Sequence, residues 1–98
     1  MTEHVLKTHP TPYEAMADGI KAFEIRKEGD RVFAVGDILV LKEWDPVRAK
    51  AGVEADGFTG KWMSRVVTYI VRGPEWQIPA GMVILGVRKQ TACSRCGK

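Results

Sequence analysis

Lys21, Glu24 and Arg26 follow Gly19 in the run G-I-K-A-F-E-I-R, a G-x-K-x-x-E-x-R pattern that gathers two cations and one carboxylate within a few positions. Cations held beside a carboxylate suit recognition of an anion or a base edge, because a charge-assisted pair fixes the guanidinium fork in one orientation. The same groups also suit acid–base chemistry, with Glu24 as general base and Lys21 or Arg26 stabilising an oxyanion or phosphorane. A plainer reading stands beside both. A half-buried strand at the rim of a sheet alternates charged and apolar residues without any ligand.

The elements around the run decide where its side chains point. Gly19 can adopt the left-handed conformation that ends a helix, and from Ala22 to Lys27 Phe23 and Ile25 alternate with Glu24 and Arg26 as a strand does. Upstream, Val5 and Leu6 open an extended segment, and Pro10 and Pro12 interrupt it. The pattern predicts a short helix over residues 12–18, with Pro12 as its first residue, Thr11 as N-cap and Glu14 completing a capping box.

Downstream, Glu28-Gly29-Asp30 reads as a turn, Arg31–Val35 as an extended piece directing Val32, Phe33 and Val35 to the core, and Gly36-Asp37 as a second turn. Ile38–Trp44 is a strong strand, with Leu39, Leu41 and Glu43 on one face and Ile38, Val40, Lys42 and Trp44 on the other. The Ala-, Gly- and charge-rich stretch 47–60 reads as an insertion. Lys61–Arg72 is too rich in β-branched and aromatic residues for a helix and reads as a strand. Gly73-Pro74 turns the chain, Trp76 and Ile78 cover an edge, and Met82–Arg88 is the last strand. The expected fold is α+β, a small barrel of about five to six strands with one helix closing a cleft.

Ninety-eight residues with 45% hydrophobic content suffice for one domain and one core. No apolar run reaches membrane-spanning length and the N-terminus lacks the apolar core of a signal peptide, so the expectation is a soluble cytoplasmic protein with no membrane partner. Residues 1–60 hold 8 Lys or Arg against 11 Asp or Glu, whereas residues 61–98 hold 7 against 1, so the modest net charge of +3 conceals a basic second stretch. That asymmetry favours a polyanionic partner, although a solvated basic face reads the same way. Cys93 and Cys96 form one C-x-x-C. It is half of a tetrahedral zinc site, an exposed thiol pair or an incidental part of the tail, and no cofactor is expected.

Several motifs in order carry a family resemblance: H-x-L-K at 4–7, F-E-I-R-K at 23–27, D-R-x-F at 30–33, V-G-D at 35–37, L-x-E-W at 41–44 and F-T-G at 58–60. Together with the G-x-K-x-x-E-x-R run they resemble the ASCH domain of the PUA-like superfamily, in its small bacterial and phage branch of DUF3850 type. The resemblance covers residues 4–88 and leaves 89–98 as a basic tail. It implies a PUA-like β-barrel whose cleft binds RNA or a nucleotide. Lys21 and Arg26 would meet phosphate or a base edge, Glu24 would orient Arg26, and Lys27 and Arg31 would widen the positive rim. Tyr13 and Trp44 would stack on bases or fill the core.

The resemblance also implies an enzymatic alternative, hydrolysis of an amide on a modified nucleoside. There a lysine works with a threonine three residues later and a late glutamate. Lys21 matches, Glu24 occupies the threonine position and Glu75 is the late acid by elimination. RNA cleavage by Lys21 and Glu24 is a related alternative. His4 would assist if the first strand lay beside the cleft, and otherwise is a surface or capping residue. A further alternative is an accessory protein acting by protein contact. The oligomeric state is not legible in the sequence.

Overall fold

In the computed structural model, which describes residues 2–29, 31–49 and 54–89, one helix and five strands follow one another as β1 (Glu3–Thr8), α1 (Pro10–Ala17), β2 (Phe23–Lys27), β3 (Ile38–Trp44), β4 (Phe58–Arg72) and β5 (Met82–Lys89). The strands form one mixed sheet in the order β1-β3-β4-β5-β2. Only the β1–β3 pair is parallel. β4 is long enough to serve two neighbours: its first half pairs with β3 and its second with β5, with a register shift between Val67 and Tyr69. Such an irregularity sharpens the local twist, and the sheet curls into a half-barrel.

Alternation along the strands fills its interior. Leu6, Leu39, Leu41, Val67, Val83, Leu85 and Val87 turn inward and pack with Met16 of the helix and Phe33. β2 has the opposite parity. Its inward residues are Glu24 and Arg26, which leaves Phe23 and Ile25 exposed on the outer face. A strand that spends its inward positions on charged groups contributes little to the core, so these positions call for another explanation than packing.

Helix α1 begins two residues earlier than the expected 12–18. His9 is its N-cap without a side-chain cap bond, and Thr11 lies inside the first turn. The reason is Pro10: proline lacks an N–H and has its φ preset, so it suits the first helical position, and the two prolines start the helix instead of interrupting the strand. The C-terminus forms as expected. Gly19 has φ +79°, its N–H donates to Met16 O and that of Ile20 to Ala15 O, a Schellman closure that hands the chain directly to Lys21.

Residues 31–35 are not a strand, and of their three apolar side chains only Phe33 is buried, Val32 and Val35 being 72% and 63% exposed. Side chains have captured the backbone here. Phe33 N–H donates to Glu28, Ala34 N–H donates to Asp37, and Arg72 donates to Phe33 O, so the groups that would enter a ladder are engaged locally. Trp76 covers no edge. It is 82% exposed in the 3-10 turn Glu75–Gln77 with φ 57°. The expected insertion at 47–60 is shorter than its range: Glu54–Gly57 forms a 3-10 turn and β4 starts at Phe58. Residues 50–53, Asp30 and the Cys93–Cys96 pair lie outside the described residues.

A β-carbon at Gly57 would clash with the Trp44 indole at its Nε1. Gly57→Ala is therefore expected to lower stability by about 2 kcal/mol, a normal overpacking cost, measurable as a reduced urea midpoint at unchanged m-value.

Candidate functional site

The run from Gly19 to Arg26 places three charged heads in one place. Glu24 is only 3% exposed. Its Oε2 accepts from Lys21 Nζ at 2.7 Å, and its Oε1 accepts from Arg26 Nε at 3.1 Å and Nη2 at 2.9 Å. Both cations remain partly open to solvent while the carboxylate between them does not. This is a fixed cationic surface with its counter-charge underneath.

Arg26 also closes the barrel. β1 and β2 are the two edges of the sheet, and the guanidinium spans the seam, donating from Nη1 to Lys7 O at 3.2 Å and from Nη2 to Thr8 Oγ1 at 3.3 Å. Side-chain bonds thus replace ladder bonds at this seam. Above it opens a hollow of about 470 Å³ between the end of β1 (Lys7, Thr8, His9), Pro12 of the helix, and Lys21, Glu24 and Arg26. The volume falls within the roughly 300–1,000 Å³ of small-molecule sites.

Other residues named from the sequence lie elsewhere. Lys27 is exposed and follows Phe23 and Ile25 onto the outer face. Arg31 borders a separate hollow with Thr2, Glu3 and His4 at the opposite end of β1. Tyr13 is buried, and burial raises its phenol pKa, assisted by the Glu43 carboxylate and opposed by Arg65. Trp44 packs on Gly57, with Lys7 Nζ 4.2 Å from its ring centre and the His9 ring 5.7 Å away. Glu75 is exposed and does not line the cleft. His4 is neither a surface residue nor beside the cleft: it is buried, with Nε2 2.8 Å from Asp37 Oδ2 and its ring 4.5 Å from that of Phe33. Four residue steps along the strand, about 13 Å, separate it from Thr8.

One polar residue of the site, Thr8, escaped the sequence reading as a functional candidate, and so did Glu43 beside it on β3, which lines a neighbouring hollow. Thr8 is buried and meets Arg26, and Glu43, its register partner on β3, is buried and accepts from Thr59 Oγ1 at 2.7 Å. The signal was present in strand parity, since Thr8 shares the inward face with Leu6, and Glu43 with Leu39 and Leu41.

The fold and this site define a small α+β half-barrel protein with a cationic cleft at the seam of its edge strands. No helix among the described residues is long and apolar enough to cross a membrane. The chain belongs to the DUF3850 family, a domain of unknown function whose model matches residues 3–87. Comparison with curated proteins found no match.

Proposed function

We propose that this chain is an RNA- or nucleotide-binding module of ASCH, PUA-like type, and that the Lys21–Glu24–Arg26 cleft receives the ligand. One observation carries the reading: a buried carboxylate holds two cations in a single concavity, an arrangement that core packing does not call for. Counting donors supports it. Lys21 gives one of its three N–H groups to Glu24, and Arg26 engages Nε, Nη2 and one N–H of Nη1, so unspent donors remain in a hollow of nucleoside size. Such a site selects a ligand rich in acceptors, as base carbonyls and phosphates are.

Binding is favoured over turnover by the state of Glu24. A general base needs a lone pair open to the substrate, whereas Glu24 is only 3% exposed and its bonds from Lys21 and Arg26 fill three of about four lone-pair sites. Thr8 supplies a hydroxyl, but among the described residues none accepts its proton.

Fluorescence anisotropy with short single-stranded RNA tests the proposal. Affinity is expected to fall steeply with added salt, and Lys21→Ala to weaken it about tenfold, roughly 1.4 kcal/mol. RNA affinity that ignores salt, or that Lys21→Ala leaves intact, would overturn it.

A further inference from the structure

We propose a second, phosphate-binding site on the other side of Lys21, in a crevice of about 80 Å³ formed by Lys21, Arg65, Arg88 and Lys89 against Met16 and Gly19. Its volume equals that of two or three water molecules, room for one tetrahedral oxyanion at its floor. The ligand class is a phosphate group, free or esterified.

Arg65 provides the strongest reason. Strand parity on β4 turns it inward beside Val67, and it is only 8% exposed. Its guanidinium donates to Ser64 O at 2.8 Å and Met16 O at 3.2 Å, both neutral carbonyls. Among the described residues no carboxylate comes within ion-pair distance of Arg65, Arg88 or Lys89, and the crevice lining contains no acid. A guanidinium removed from water without a counter-charge is costly, and an anion in the crevice would supply that charge. Glu43 and Arg65 both act on the Tyr13 phenol, in opposite directions, but Glu43 does not line the crevice. The carbonyl of Met16, at the negative end of the helix, is already answered by Arg65.

The crevice also gathers three of the seven cations of the basic second stretch. Arg65, Arg88 and Lys89 all come from the basic stretch 61–98; β4–β5 pairing sets Lys89 opposite Arg65, and Arg88, opposite Val66, joins the lining with its Nη1 donating to Lys89 O at 3.3 Å. Lys21 lines both the crevice and the cleft. A phosphate in the crevice would therefore lie one side chain away from a group held at Glu24 and Arg26. This last step rests on the cleft reading above and narrows its ligand to phosphorylated nucleotides or RNA over free nucleosides; the phosphate site itself does not depend on it.

Two-dimensional ¹H–¹⁵N NMR of the full chain, titrated with inorganic phosphate against chloride at matched ionic strength, tests the site. Amides of Gly19, Lys21, Ala22 and 87–89 are expected to shift and saturate in the millimolar range. The double variant Arg88→Ala/Lys89→Ala, which removes two exposed side chains and leaves the core untouched, is expected to weaken the response about tenfold. Equal shifts with chloride, or an unchanged response in the double variant, would overturn the inference. Adenosine and cytidine titrations separate it from the cleft reading. Nucleoside shifts at 24–26 without any phosphate response sink the crevice alone, whereas a saturating phosphate response sustains it even if RNA and nucleosides fail to bind.

Discussion

Arg26→Ala is expected to lower the unfolding free energy by about 3 kcal/mol and at the same time to remove the RNA affinity proposed for the cleft. The size follows from what the guanidinium holds. It donates twice to a carboxylate buried to 3% exposure and once each to the backbone and hydroxyl of the neighbouring edge strand. Removing it leaves Glu24 with Lys21 as its single charged partner and leaves the β1–β2 seam without this bridge. Arg26 is itself a quarter exposed, so water can partly replace it, which places the loss at the lower end of the range for broken buried pairs. Arg26→Lys provides the control. It keeps the charge but cannot reach Glu24, Lys7 O and Thr8 together, and is expected to recover less than half of the stability. Urea unfolding of the three proteins checks the order wild type, Lys, Ala. A wild-type midpoint for Arg26→Ala would show that the seam closes without it.

The Arg26 cluster was legible in the sequence because everything that builds it is local. A helix end, a glycine of positive φ and a strand of period two fix the relative directions of Lys21, Glu24 and Arg26 within eight residues. β3 was legible for the same reason, its burial alternating as Leu39, Leu41 and Glu43 do. What the sequence concealed is the set of partners contributed by distant strands. Thr8 reaches Arg26 because the sheet curls until its edges meet, and the curl depends on how β4 divides itself between β3 and β5. Arg65 looks like one polar position in a β-rich run until pairing brings it opposite Lys89 and under the helix end. Arg31–Val35 misled for the opposite reason. Its β-branched composition suits a strand, but Glu28, Asp37 and Arg72 engage its backbone first.

Asp37 is the second position where one substitution should be costly, and its effect should depend on pH. The carboxylate is buried at the start of β3. Oδ1 accepts from Thr2 N, and Oδ2 from Ala34 N and His4 Nε2, so one side chain ties the first strand to the irregular segment before β3. Burial acts to raise its pKa, but the hydrogen bonds from His4 and from the amides of Thr2 and Ala34 outweigh it and hold the carboxyl below its ordinary value. Glu28 is held below its ordinary value as well, first by the hydrogen bond from Arg72, against burial, and then by Phe33 N–H. A carboxylate depressed in the folded state binds a proton less readily there than in the unfolded chain. Its contribution is therefore complete above the unfolded value, near pH 4, and is lost as pH falls from there through the folded value. Asp37→Asn, whose amide NH₂ cannot accept, would strand buried N–H donors on one side and is expected to cost about 3 kcal/mol at pH 7. The cost should shrink on acidification, because below pH 4 the wild type progressively surrenders the same carboxylate. Urea midpoints of the two proteins, taken from pH 7 down to pH 3, should converge. Parallel curves across that range would mean that Asp37 is not the group through which acid loosens the fold, and would shift the assignment to Glu28, which Glu28→Gln tests in the same way.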